Sequence, residues 1–100
     1  DAKRLQSIGI IINELLTNIM KYAFVGKGEG VKLIAVSVKM NKNTISIIIQ
    51  DNGVGIPESI NFENSSGFGL TLVSLLTEQI GGTIRIERGN GTSVILEFET

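Results

Sequence analysis

The segment LQSIGIIINELLTNIMKYAF, residues 5–24, decides how the rest of the chain is read. Leu5, Ile8, Ile12, Leu15, Leu16, Ile19 and Ala23 recur mostly at three- and four-residue steps, the spacing of one helix face. Gly26, Gly28 and Gly30 then break the pattern. Downstream the period changes from helical to alternating. Lys32–Met40 carries Ile34, Val36, Val38 and Met40 on one face, and Thr44–Gln50 carries Ile45, Ile47 and Ile49. The short polar link Asn41–Asn43 makes these two strands an antiparallel hairpin. Residues 51–67 hold no regular pattern and read as a long loop of the kind that serves binding. A second helix spans about Phe68–Ile80, stopped by Gly81-Gly82. Thr83–Glu87 and Thr92–Glu99 form a second hairpin around Gly89–Gly91. The order α-β-β-loop-α-β-β predicts an α/β protein of the α+β type, with helices on one face of a mostly antiparallel sheet.

Composition narrows the chemistry. One hundred residues, 42% hydrophobic and 19% charged, suit a single globular domain. A net charge of −1 gives no case for nucleic acid or an anionic membrane surface. The chain has no cysteine, which removes disulfides, thiolate metal sites and thiol nucleophiles. It has no histidine either, so imidazole enters no catalytic scheme within it. Apolar runs such as Ile8–Ile12 are far short of a membrane span, and no signal-peptide pattern opens the chain. A chain that starts at Asp1 without Met and stops directly after a strand reads as one domain, residues 1–100, of a longer protein.

Four short segments carry candidate chemistry. On the first helix Glu14, Asn18 and Lys21 stand at i, i+4 and i+7 and project as one ridge, flanked by Asn13 and Thr17. A solvated face explains the ridge. So does a site in which carboxylate, carboxamide and ammonium meet a hydrated Mg²⁺ and phosphate oxygens, since Mg²⁺ takes few protein ligands when phosphates supply the rest. DNGVGIP, residues 51–57, follows a strand and puts Asp51 at the sheet rim, with Gly53 and Gly55 free to let a flat ligand approach. An Asx turn explains the same residues. It is neither a P-loop nor a dinucleotide fingerprint, because no Gly-Lys-Ser/Thr follows and Glu58 stands where a third glycine would be. SSGFGL, residues 65–70, opens a helix whose free N–H groups suit phosphate, although Ser66 as an ordinary cap accounts for it too. NGTSV, residues 90–94, is a hairpin turn that starts the last strand at Thr92.

Together and in this order, NELLTNIMKYAF, DNGVGIP, GFGL and NGTSV resemble the N box and the three glycine boxes of the GHKL ATPase superfamily. The first of them is most similar to histidine kinases with a short nucleotide lid, and the likeness runs from about Ile8 to Phe98. The resemblance implies a two-layer α/β sandwich of the Bergerat type, with a mostly antiparallel mixed sheet, that binds ATP and Mg²⁺. Asn18 would be the Mg²⁺ ligand, and Lys21 would contact phosphate. Asn13 opens the box, and Tyr22 would lie near the nucleotide. Glu14 matches the acidic position that activates water in hydrolytic relatives, a task a kinase does not require; with Lys21 it makes the implied catalytic pair. Asp51 would accept the adenine amino hydrogen, with Gly53, Gly55 and Ile56 shaping the pocket. Gly67, Phe68, Gly69 and Leu70 would close over the triphosphate, and Thr92 would support Asp51 through a water.

The resemblance further implies a phosphoryl acceptor outside this chain, on a histidine-bearing dimerisation domain of the same protein. A response regulator would act downstream, and the domain itself would be cytoplasmic. It departs from the family pattern in three respects. A separate phenylalanine box is missing, with Phe62 and Phe68 its only candidates; the lid of about residues 58–66 is short; and the leading helix and strand are absent, as in an N-terminally trimmed domain. The rival readings are an anti-sigma-type serine kinase, an ATP-driven clamp and a non-enzymatic nucleotide-sensing module.

Overall fold

The computed structural model describes residues 2–23, 33–53, 70–89 and 91–100. Helix α1 (Ala2–Asn18) is followed directly by a π-helical turn, Ile19–Ala23. Strands β1 (Ile34–Asn41) and β2 (Thr44–Asp51) form the first hairpin, α2 (Leu70–Gln79) follows, and β3 (Thr83–Gly89) and β4 (Gly91–Glu99) form the second. The sheet order is β1-β2-β4-β3, and each neighbouring pair is antiparallel. The two hairpins therefore join through β2 and β4, strands far apart in sequence.

Alternation assigns the two faces. Ile45, Ile47 and Ile49 of β2 stand opposite Phe98, Leu96 and Val94 of β4. They face the helices and form the core with Ile11, Leu15 and Ile19 of the first helical stretch and Leu70 and Val73 of α2. Ile11 is fully buried, whereas Leu5 in the first turn is exposed, so the buried stripe of α1 is centred further along the helix than its apolar spacing predicts. The opposite face is mostly polar around the central pair Ile48 and Ile95. Arg85 Nη1 donates to Glu97 Oε1 at 2.5 Å, and Ser46 Oγ donates to Glu97 Oε2 at 3.1 Å. These contacts, that of Arg85 first, hold the Glu97 carboxyl below its usual pKa. The stabilisation that follows is present above the ordinary carboxylate pKa and is lost as pH falls through the lowered value.

The ends of α1 and α2 orient the helical layer. Arg4 of α1 donates to the Glu99 carbonyl and lies over the Phe98 ring at 5.0 Å. Gln79, Ile80 and Gly81, at the end of α2, border the same hollow as Lys3, Arg4 and Glu99. The start of α1 and the end of α2 therefore meet beside Glu99, and the helices run antiparallel. Their other ends, near Asn18 and Leu70, point toward the end of the sheet where β4 begins. The stop of α2 is a Schellman turn: Gly82 N–H donates to Thr77 O and Gly81 N–H to Glu78 O, both at 3.0 Å, with Gly81 at φ 70°.

The expected strand over residues 32–40 forms as β1, but its apolar row does not join the core. Val36, Val38 and Met40 share the helix-side face with Ile49, Ile47 and Ile45, yet all three are more than half exposed. The strand is at the sheet edge, and among the described residues the helices cover β2, β4 and β3 instead. No helix of the described residues is long and apolar enough to cross a membrane. Because Ile11 is completely enclosed by this core, Ile11→Ala is expected to lower unfolding stability by about 2–5 kcal/mol, read by denaturant titration.

Candidate functional site

Asp51 ends β2 and stands opposite Thr92 of β4, which stands in turn opposite Arg88 of β3. These polar residues replace the apolar pairs of the preceding rows at one end of the helix-side face. Asp51 is 8% exposed and Thr92 4%. Removing such groups from water is costly unless they are hydrogen-bonded. Asp51 meets part of that requirement through its Oδ1, which accepts the Gly53 N–H at 2.9 Å. The Asx turn that was the alternative reading of this motif is therefore present, and it fixes one oxygen of the carboxylate.

Thr92 supplies the complementary observation. Its Oγ1 is buried, and no hydrogen-bond partner is found for it among the described residues. An unmet hydroxyl of this kind costs about 1–3 kcal/mol, so the position calls for a water or a ligand atom. A hollow of about 220 Å³ at this rim of the sheet is lined by Asp51, Arg88 and Thr92 together with Gln50, Glu87 and Ser93 of the opposite face. A larger hollow of about 550 Å³ lies at the other end of the sheet, between Lys3, Arg4 and Gln79. It contains none of the residues that the sequence singles out.

The polar ridge of α1 is not a uniformly solvated face. Asn18 is buried at 8% exposure, Glu14 is half-buried, and Asn13 and Lys21 are exposed. With 17 residues α1 is about 25 Å long. Starting beside Glu99, it is long enough to carry Asn18 toward the Asp51–Thr92 end. The π turn that begins at Ile19 was not legible in the sequence. Lys21 lies within this turn, which is wider than the α-helix that carries Glu14 and Asn18. Such turns are frequent at functional sites. Leu70, the first residue of α2, is fully buried. Gly55, Ile56, Gly67, Phe68 and Gly69, the lid of residues 58–66 and the side chain of Tyr22 lie outside the described residues.

Two positions that sequence reasoning passed over also shape this end. Asn52 clamps the chain just beyond the last β1–β2 pair, with its N–H on Leu33 O at 3.3 Å and its Oδ1 accepting the Leu33 N–H at 2.8 Å. Gly91 has φ 100°, and a Cβ there would run into the Asp51 carbonyl oxygen and lie 3.0 Å from Asn52 Cα. The GNG turn was a signal for the positive φ, but not for this close approach to Asp51.

In sequence and in fold the chain is similar to known proteins. The family described as "Histidine kinase-, DNA gyrase B-, and HSP90-like ATPase" matches residues 4–100. The chain is 32% identical over 92 residues to blue-light-activated histidine kinase 2 of Erythrobacter litoralis, covering 92% of this chain and 26% of that protein. It is 27% identical over 100 residues to the sensor histidine kinase PdtaS of Mycobacterium tuberculosis, covering 96% of this chain and 20% of that one. It thus spans a fifth to about a quarter of the length of these relatives. Among solved structures, the histidine kinase domain of an Erythrobacter litoralis blue-light-activated kinase superposes with a TM-score of 0.82 at 30% identity, over 97% of this chain and 45% of that one. The Acinetobacter baumannii histidine kinase AdeS shares the fold, with a TM-score of 0.75 at 20% identity over 99% of this chain and 47% of that one.

The tight packing at residue 91 yields a direct test. Gly91→Ala forces both a strained φ and a shift of the Asp51 backbone, at about 1–3 kcal/mol from the backbone conformation alone. A lowered melting temperature together with displaced amide resonances at Asp51–Gly53 is the expected outcome. An unchanged spectrum there would contradict the described packing.

Proposed function

Because the chain belongs to the histidine kinase-, DNA gyrase B- and HSP90-like ATPases, we propose that it is the Mg-ATP-binding catalytic domain of a sensor histidine kinase. On this reading the domain is cytoplasmic and part of a longer protein. It presents the γ-phosphoryl group of ATP to a histidine on a separate dimerisation domain, from which a response regulator is served. The observation that carries the reading is the buried Asp51 carboxylate, held by Gly53 N–H through one oxygen, beside a buried Thr92 hydroxyl in need of a partner.

These groups fit an adenine edge. The uncommitted oxygen of Asp51 accepts a hydrogen from the 6-amino group, and the Thr92 hydroxyl bonds to a water shared with base and carboxylate. Guanine presents a carbonyl oxygen at that position and so opposes acceptor to acceptor. Gly53, Gly55 and Ile56 then border the base, with Tyr22 close by. Asn13, Asn18 and Lys21 lie on the phosphate side, and Gly67, Phe68, Gly69 and Leu70 complete the enclosure of the triphosphate.

The donor set also suits a magnesium ion. Asn18 offers a neutral carboxamide oxygen, and a site of this type draws its remaining ligands from phosphate and water. Magnesium bound there supplies charge neutralisation between the phosphate groups. Lys21 adds a mobile positive charge on the exposed side, and Glu14 lies half-buried one turn before Asn18. The work of the domain is then positioning and electrostatic stabilisation. The bond between the γ-phosphorus and its bridging oxygen breaks as the acceptor imidazole nitrogen bonds to phosphorus, and ADP leaves with the bridging electron pair. The domain has no histidine of its own, in keeping with an acceptor supplied from outside.

Two substitutions test the assignments. Asp51→Asn is expected to weaken ATP binding roughly tenfold to a hundredfold, the worth of one hydrogen bond to a charged group; calorimetric titration giving unchanged affinity would remove the adenine role. Asn18→Ala is expected to abolish most of the Mg²⁺ dependence of binding. If affinities with and without Mg²⁺ differ by the same factor in mutant and wild type, Asn18 is not the ligand.

A further inference from the structure

We propose that Asn52 is a positioning residue for adenine recognition, acting through Asp51; the inference rests on the nucleotide reading above. Main-chain pairing of β1 with β2 ends at Ile34 opposite Asp51. At the next step Asn52 N–H still donates to Leu33 O, at 3.3 Å. The return bond, however, goes from Leu33 N–H to the side-chain Oδ1 of Asn52, at 2.8 Å. A side-chain amide thus takes the place of a main-chain carbonyl as acceptor.

That substitution allows two otherwise competing requirements to be met at once. The ladder continues one residue beyond Asp51, while the backbone after Asn52 is released from the sheet. Gly53 can therefore turn back and direct its N–H to Asp51 Oδ1, at 2.9 Å. On the other side Asp51 is bounded by β4, where Gly91 permits no side chain. Asp51 is thereby held between a clamp to Leu33 and a tight wall at Gly91, and the direction of its carboxylate depends on both. Asn52 touches no nucleotide in this scheme. It sets the angle at which Asp51 meets the amino group, a matter of tenths of an ångström on which hydrogen-bond strength depends.

Two nucleotides separate positioning from general stability: ATP and the triphosphate of purine riboside, which lacks the 6-amino group. In the wild-type chain ATP is expected to bind about tenfold more tightly than the analogue. Asn52→Ala should weaken ATP by most of that factor while leaving the analogue within about twofold. Asn52→Asp keeps an acceptor for Leu33 N–H and should restore a large part of the ratio. Melting temperatures of all three proteins verify that each is folded at the titration temperature. Equal weakening of ATP and analogue in Asn52→Ala, or a full wild-type ratio in that variant, overturns the role of Asn52. Equal affinity of the wild type for the two nucleotides instead overturns the adenine reading on which it rests.

Discussion

The antiparallel pairing of β2 with β4 is the constraint on which the rest of the molecule depends. It joins two hairpins that would otherwise be separate two-stranded ribbons, which are marginal alone in water. Its register decides everything placed above it. With Ile49 opposite Val94 and Ile47 opposite Leu96, the apolar rows coincide and give the helices one surface to cover. The same register brings Asp51 opposite Thr92. A slip of one residue would leave the two apolar rows on opposite faces of the sheet and part Thr92 from Asp51, the only buried carboxylate among the described residues.

The buried polar residues therefore stand where the core ends. Along β2 and β4 the inward positions run from Ile45 and Phe98 through isoleucine, leucine and valine to Asp51 and Thr92. Asn18 on α1 follows the buried Ile11 and Leu15 in the same way. Each of these three polar side chains thus extends an apolar row by one step. The core holds the backbone, and the last position in the row is polar. This explains how a small domain can keep a carboxylate shielded without placing it in the middle of its core, where desolvation would oppose its charge.

Much of this was legible in the sequence. Alternation in Thr44–Gln50 and Thr92–Glu99 gave both central strands, and the glycine pair after Ile80 gave the stop of α2. The motif residues Asp51, Thr92 and Asn18 stood out by type and order. Other features were hidden for physical reasons. The π turn at Ile19–Ala23 depends on packing and leaves no mark in apolar spacing. The exposure of Val36, Val38 and Met40 depends on how far the helical layer reaches, and alternation within one strand does not record that. Asn52 looked like an ordinary turn residue until its partner on β1 was known. Gly91 likewise announced a turn but not the Asp51 carbonyl against which it packs.

The claim that unites these features is that the polar end of the sheet reads adenine. Calorimetric titration of the unmodified chain with ATP and with GTP, both in excess Mg²⁺, tests it most directly. Saturable one-to-one binding of ATP with GTP weaker by about tenfold or more is the expected result. Equal affinities for the two nucleotides, or no binding of ATP at millimolar concentration, would contradict it.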